Sequence, residues 1–209
     1  MAFTPIPIGS LGWGAPANAA WTDQDARISE LEVAGTPTPA FLGLKAMPFP
    51  PEMAGSGTAL VSGTVYMQRF DLAQAETLTG LTFAVSTAGA GLTAGQNLVG
   101  VYDAAGTRLA VSADQSAAWA SNDEKNPDFT APVAVSAGTY YSAVLSVGAT
   151  PISMFRNVAT QVAAQVVSHG LTAANGRWTT GPTAQTSLPA SVTMASRTLS
   201  GTSFWVGVR

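Results

Sequence analysis

The sequence predicts a mainly β protein: an antiparallel β-sandwich of the jelly-roll kind, preceded by an extended arm and one short α-helix. From about residue 60 onwards, apolar residues recur with a period of two in short stretches separated by turn-forming residues, as in sandwiches. Before that point, prolines and one helical pattern interrupt the alternation. The 209-residue chain has no cysteine, so an apolar core rather than disulfide bonds has to hold this one main domain.

Residues 1–16 are predicted to form an extended docking arm. Three prolines and three glycines in this stretch exclude a helix. Disordered tails are usually poor in apolar and aromatic residues, whereas this arm is rich in them, so we expect it to dock on another surface. The residues predicted to anchor it are Phe3, Ile6, Ile8, Leu11 and Trp13.

Residues 17–33 are predicted to form the helix. Thr22 and Asp25 have capping-box spacing, and the acidic side chains of the first turn suit the helix dipole. A helix this short is marginal in water on its own. We therefore expect it to pack either on its own body or, as the oligomerisation element, on the same helix of sister copies. Its a and d positions hold Trp21, Gln24, Ile28 and Leu31.

Residues 34–59 are predicted to be a Pro-rich linker, because they contain five prolines. Several apolar side chains within it indicate that it lies against a surface. The β-sandwich domain is predicted to span residues 60–209.

Within that domain, the stretch 97–112 predicts a hairpin with its turn at Asp103–Gly106. Residues 131–135 and 139–147 predict another pair of strands, and the chain ends in a predicted strand at 203–208. The alanine-rich stretch 157–170 fits a helix or a buried strand equally well.

Charge and hydropathy exclude several classes of partner. The net charge is −3, and the nine basic residues are too scattered to form a nucleic-acid groove. No apolar stretch approaches the roughly 20 residues that a membrane-spanning helix needs. No signal peptide is recognisable at Met1, so we expect synthesis in the cytoplasm of the producing cell.

The sequence does not predict an enzyme, a cofactor or a metal site. Its one histidine, His169, precedes a glycine at the end of an apolar run, which is typical of a strand end at a turn. The acidic residues Asp123, Glu124 and Asp128 are interpreted as a polar loop, with Ca²⁺ binding as the alternative because oxygen ligands suffice for that ion. The loop lacks the glycine and closing glutamate of an EF-hand.

Aromatic side chains are the candidates for glycan binding, since rings stack on sugar faces. Trp178 lies in a turn-rich stretch beside Arg177, and Trp119 lies beside the acidic loop. These three residues are the predicted glycan contacts, while Trp205, Tyr140 and Tyr141 are further aromatic candidates. Packing in the core is the alternative interpretation for each ring.

The stretch Trp13–Glu32 resembles the N-terminal segment of minor tail and fibre-like virion proteins of phages infecting actinobacteria. In those proteins a Trp-Gly-x-Pro-x-Asn arm runs into a short helix that ends Arg-Ile-x-x-Leu-Glu, and both patterns occur here. The stretches 99–110 and 137–145 are similar to the β-sandwich ends of such proteins. The resemblance implies a virion structural protein that is often trimeric and in some members binds the host surface.

These observations predict a trimeric minor tail protein or tail fibre component located in the virion. Residues 1–50 would bind other virion proteins, and the sandwich would face outward, where it could contact a host-surface glycan. Two alternatives remain at this stage. One is a capsid decoration or head-fibre protein anchored to the shell by its arm, and the other is a carbohydrate-binding module for host envelope glycans.

Overall fold

The computed structural model describes residues 37–157 and 168–209, and it confirms the mainly β prediction. The predicted arm at 1–16 and the predicted helix at 17–33 lie outside the described residues. So does most of the stretch that fits helix or strand, from 158 to 167. Within the described residues, no helix is long and apolar enough to cross a membrane.

The described residues contain fourteen strands and four short 3-10 helices, joined by turns and loops. The strands are β1 (Ala54–Ala59), β2 (Val65–Leu72), β3 (Glu76–Thr87), β4 (Ala90–Leu92), β5 (Leu98–Asp103), β6 (Arg108–Val111), β7 (Glu124–Lys125), β8 (Asp128–Val135), β9 (Gly138–Leu145), β10 (Gly148–Thr150), β11 (Ser153–Asn157), β12 (Trp178–Thr180), β13 (Thr198–Leu199) and β14 (Gly207–Val208). The 3-10 helices are Ala40–Leu42, Pro51–Met53, Ala118–Ala120 and Met194–Ser196.

Two six-stranded antiparallel sheets form the sandwich. The first sheet has the order β1-β11-β3-β14, and β7 and β8 also pair with the long strand β3. The second sheet has the order β13-β12-β2-β9-β5-β6. Strands β4 and β10 form a separate two-stranded ribbon.

The second sheet is buried on both of its faces. In β9, Val144 faces the large apolar core that it shares with the first sheet, whereas Tyr141, Ala143 and Leu145 face a second apolar cluster. This assignment follows the period of two that alternates side chains across a strand. The second cluster is closed by residues from the C-terminal part of the chain: Leu188, Val192 and Met194.

The boundary predicted between linker and sandwich is wrong by six residues. Residues 54–59 form β1, which pairs with β11 from Ala54↔Asn157 to Ala59↔Ser153, so the sandwich begins at 54 rather than 60. The sequence of β1 is rich in Gly, Ala and Ser and has little β-propensity of its own. It is a strand because a neighbouring strand supplies its hydrogen bonds.

The predicted hairpin at 97–112 is confirmed. Strands β5 and β6 pair through Gly100↔Val111 and Val101↔Ala110, with an irregularity before Tyr102. The amide groups of Thr107 and Gly106 bond to the side chain and the carbonyl of Asp103, which closes the turn.

The second predicted pair forms two strands that do not pair with each other. Strand β8 pairs with β3 in the first sheet, and β9 pairs with β2 and β5 in the second. The connection at Ser136–Ala137 therefore crosses between the sheets. The terminal strand is shorter than predicted, since only Gly207–Val208 continues a sheet, while Phe204 forms an isolated bridge to Arg156. Local alternation identifies strands but not their partners.

Candidate functional site

The structure places the predicted glycan contact Trp119 in the core. Its side chain is 0% exposed, and its ring meets Phe83 edge-on with the centroids 5.7 Å apart. The ring belongs to the 3-10 helix Ala118–Ala120, of which Trp119 is the buried residue. The prediction of a glycan contact at Trp119 is therefore wrong, and the core alternative holds.

Trp178 is also buried, with 6% of its surface exposed. It lies in β12 opposite Gln68 of β2, and it lines a small pocket together with Phe204 and Val206. Arg177 is exposed and holds its guanidinium 4.6 Å from the centre of the Trp178 ring. The two predicted contacts do meet, but the buried indole offers no free face to a sugar, so the predicted glycan contact at Trp178 is wrong. A glycan contact at the exposed Arg177 stays a prediction.

The acidic loop is held by its own neighbours. Asp123 pairs with the ammonium of Lys125, and Asp128 pairs with Arg209 at 2.8 Å. Glu124 accepts a hydrogen bond of 3.0 Å from Asn126. Among the residues that the structure describes, no group of three or more acidic or histidine side chains is placed to hold a metal ion.

The most distinctive surface feature is a segment that we call the strap, residues 38–53. It is attached to the end of the chain: the amide of Lys45 donates to the carbonyl of Val208 at 2.7 Å, and the amide of Val208 donates to Ala46 at 2.8 Å. The indole N–H of Trp205 donates to the carbonyl of Phe49 at 2.9 Å. The predicted linker thus does lie against a surface, as its apolar content indicated.

A salt bridge holds the strap to β3. The Lys45 ammonium lies 2.7 Å from the Glu76 carboxylate. Hydrogen bonds from Gln74 and from Lys45 hold the pKa of Glu76 below its usual value. Because both side chains are near solvent, such a pair positions the strap more than it stabilises the fold.

A groove of about 470 Å³ runs between the strap and the outer face of the first sheet. In β3, Leu81 and Phe83 face the core, so the intervening Thr82 and the next residue, Ala84, face outward. The same alternation turns Phe155 of β11 and Trp205 to the outside. The groove is lined by Leu42, Gly43, Leu44, Pro51, Ala54, Thr82, Phe83, Ala84, Glu124, Asn126, Phe155, Trp205 and Arg209.

The polar side chains at one end of the groove already have partners within the protein. The Glu124 carboxylate accepts hydrogen bonds from Thr82 at 3.4 Å and from Asn126. Arg209 donates to the carbonyls of Leu81 at 3.1 Å and Asn126 at 2.8 Å. What the groove offers to a ligand is therefore mostly apolar and aromatic surface.

The strap carries exposed apolar side chains. Phe41 is 70% exposed and Met53 is 45% exposed, and Leu42 is exposed as well. Within the described residues, the other large apolar side chain exposed to this degree is Val61. Exposed apolar side chains concentrated on one segment make the strap a candidate contact surface.

Sequence reasoning missed this groove as a site, although one signal pointed toward it. In the stretch 203–208, Phe204, Val206 and Val208 alternate with Trp205 and Gly207. Since the first three face the core, Trp205 has to face outward. The residues that form the opposite wall, Leu42 and Leu44, lie about 160 positions away in the sequence and give no such signal.

Comparison of the sequence with models of known protein families finds no match, and a search of curated proteins finds no significant match.

Proposed function

We propose that the protein is a phage virion structural protein, a trimeric minor tail protein or tail fibre component rather than an enzyme. In this proposal the helix at 17–33 joins three copies, the arm at 1–16 anchors them to the particle, and the sandwich faces outward. The N-terminal patterns Trp-Gly-x-Pro-x-Asn and Arg-Ile-x-x-Leu-Glu support the phage assignment.

The observation that carries the proposal is the exposed apolar strap immediately after the predicted helix. Phe41, Leu42 and Met53 expose apolar surface in the segment that follows the oligomerisation element in sequence. A helix of two heptads needs additional buried area to hold a trimer. Apolar side chains directly downstream of the helix can supply that area when copies associate.

The chemistry of the described residues also favours an architectural role. His169 is exposed in a turn at 168–170, and no hydrogen bond from it to a nucleophile is present among the described residues. A base without a nucleophile within reach cannot perform acyl transfer. The groove, by contrast, offers mostly apolar and aromatic surface, which suits binding rather than catalysis.

Light scattering of the purified full-length protein tests the proposed trimer. We expect a native mass three times the chain mass of 21.2 kDa. The double variant Ile28→Asp, Leu31→Asp places charges at the predicted a and d positions and should reduce the mass to that of one chain. A matched control, Ser29→Asp with Val33→Asp, places the same charges at outward positions and should remain trimeric. A trimer that survives the first double variant would remove the helix from the proposal.

Location in the virion needs a separate experiment. Gold-labelled antibodies raised against the purified sandwich should decorate the tail or tail tip of intact particles in electron micrographs. Decoration of the capsid instead would favour the head-fibre alternative, in which the arm anchors the protein to the shell. Absence of the protein from purified particles would contradict the virion assignment altogether.

A further inference from the structure

We propose that, in the free protein, the groove between the strap and the first sheet holds the apolar arm of the same chain, centred on residues 3–13. The proposal rests on the groove and on the sequence of the arm, and it does not depend on the trimer. In the proposed function the arm binds the particle, and this proposal adds the groove as a second binding site for the same arm. The arm would leave the groove when it anchors.

The chemistry of the groove matches the chemistry of the arm. Two aromatic rings, Phe155 and Trp205, face the groove from the sheet, and Leu42 and Leu44 close it from the strap. Aromatic-lined grooves are the usual receptors for proline-rich extended segments, because such segments lose little entropy on binding. The arm contains the run Thr-Pro-Ile-Pro-Ile at positions 4–8.

The position at which the described chain begins brings the arm within reach. The structure describes the chain from Pro37 onwards, and the groove is lined from Leu42. The predicted 17-residue helix would carry the chain away by about 26 Å. An extended 16-residue arm spans about 50 Å, enough to return to the groove. Tethering also gives the arm an effective concentration in the millimolar range, far above that of other copies in a micromolar solution.

A sugar suits the groove less well than the apolar arm does, because the polar groups that line the groove already have partners. Saccharide recognition needs unpaired polar groups that read hydroxyls. Here Glu124, Asn126 and Arg209 are engaged with one another or with backbone carbonyls. The indole N–H of Trp205 is taken by Phe49. The accessible surface that remains suits isoleucine, leucine, proline and tryptophan.

Disulfide trapping tests the contact directly, because the chain has no cysteine of its own. Ile6→Cys in the arm is combined with Ala84→Cys on the groove floor, in the full-length protein at micromolar concentration under a mild oxidant. The control combines Ile6→Cys with Ala105→Cys, an exposed position in the β5–β6 turn. A disulfide requires the two Cα atoms to approach within about 7 Å. We expect the groove pair to form an intrachain disulfide at least tenfold faster than the control pair.

A second cysteine pair is needed because the first could fail to form a disulfide through poor geometry alone. Ile8→Cys with Leu42→Cys uses an exposed position on the opposite wall, where a substitution should not disturb folding. Rates equal to the control in both pairs would overturn the proposal and leave the groove to another partner. Interchain disulfides, seen as dimer bands on non-reducing gels, would overturn it in favour of a neighbouring copy's arm.

Disulfide trapping and light scattering test the docked arm and the proposed trimer separately. Fast intrachain trapping in a protein that light scattering finds monomeric would support the docked arm and count against the trimer. A trimeric mass without trapping would do the reverse.

Discussion

Arg197 provides the sharpest test of how the second sheet is covered. It is 4% exposed, and no carboxylate pairs with it among the described residues. Its guanidinium donates to the carbonyls of Met194 at 3.1 Å and Ala174 at 2.8 Å and to the Thr179 hydroxyl at 3.0 Å. It also lies 4.3 Å from the centre of the Tyr141 ring. Burial lowers the pKa of Arg197, yet arginine stays charged in proteins.

The change Arg197→Met keeps most of the volume and removes the charge and the donors. Hydrogen bonds from charged groups contribute about 1.5–3 kcal/mol each, and a desolvated cation over a ring contributes about 2 kcal/mol. Relief of the guanidinium's desolvation offsets several kcal/mol of that sum. What remains is the cost of leaving the Met194 carbonyl and the Thr179 hydroxyl without their donor, because the Ala174 carbonyl also accepts a hydrogen bond from the Tyr141 hydroxyl at 3.3 Å. We expect a loss of about 3 kcal/mol in the free energy of unfolding.

Urea unfolding followed by circular dichroism and by tryptophan fluorescence measures this loss. For a domain of this size, about 3 kcal/mol corresponds to a fall in Tm of roughly 6–12 °C. Arg177→Met is the matched control, because Arg177 also stacks on an aromatic ring but is exposed. A cation over a ring at an exposed site contributes about 0.5–1 kcal/mol, so the control should change stability by no more than that.

Equal stabilities for the two methionine variants would refute this reasoning. That result would mean that the hydrogen bonds of Arg197 only offset its desolvation. The C-terminal part of the chain would then be held on the second sheet by apolar packing alone.

Two further predictions follow from the backbone and from the carboxylates. Gly106 has φ of +90°, and a Cβ there would lie 2.1 Å from the carbonyl oxygen of Val192. At Gly95 φ is +80° but the space around a Cβ is open. Gly106→Ala should therefore lower Tm clearly more than Gly95→Ala, which thermal unfolding of both variants checks. Burial raises the pKa of Asp114, but hydrogen bonds that include one from the Ser116 hydroxyl hold it below its usual value. The stabilisation from Asp114 is therefore complete above about pH 4 and is lost as the pH falls through the folded-state pKa. Asp114→Asn should flatten the acid side of a curve of Tm against pH. An unchanged acid side would contradict this assignment.

The sequence predicted the fold class because short stretches with a period of two, such as those in β2 and β3, are separated by turn-forming residues. It predicted the β5–β6 hairpin because its partners are adjacent in sequence and its turn residues are diagnostic. It failed at β8 and β9, because consecutive strands in a sandwich can belong to different sheets. It also failed at β1, whose Gly-rich sequence becomes a strand only through pairing with β11, about 100 residues away.

The candidate site was harder to predict for a related reason. Ring accessibility depends on what covers the ring, and that cover is remote in sequence. Trp178 lies in a turn-rich stretch that is typical of exposed loops, yet it becomes a buried strand residue when β12 pairs with β2. Trp205 follows the opposite course, since alternation turns it outward and the strap then makes it one wall of a groove.

The segments that lie over the two sheets limit where this sandwich can bind a partner through a sheet face. The second sheet has its inner face on the core and its outer face under Leu188, Val192 and Met194, so neither is available. The first sheet has its inner face on the core, and the strap covers part of its outer face. The uncovered remainder of that outer face includes the groove floor at Ala84 and Phe155. The strap that bounds this floor, residues 38–53, begins a few residues after the predicted helix at 17–33 ends. If that helix joins copies as proposed, a partner bound in the groove would lie next to the assembly element in the sequence.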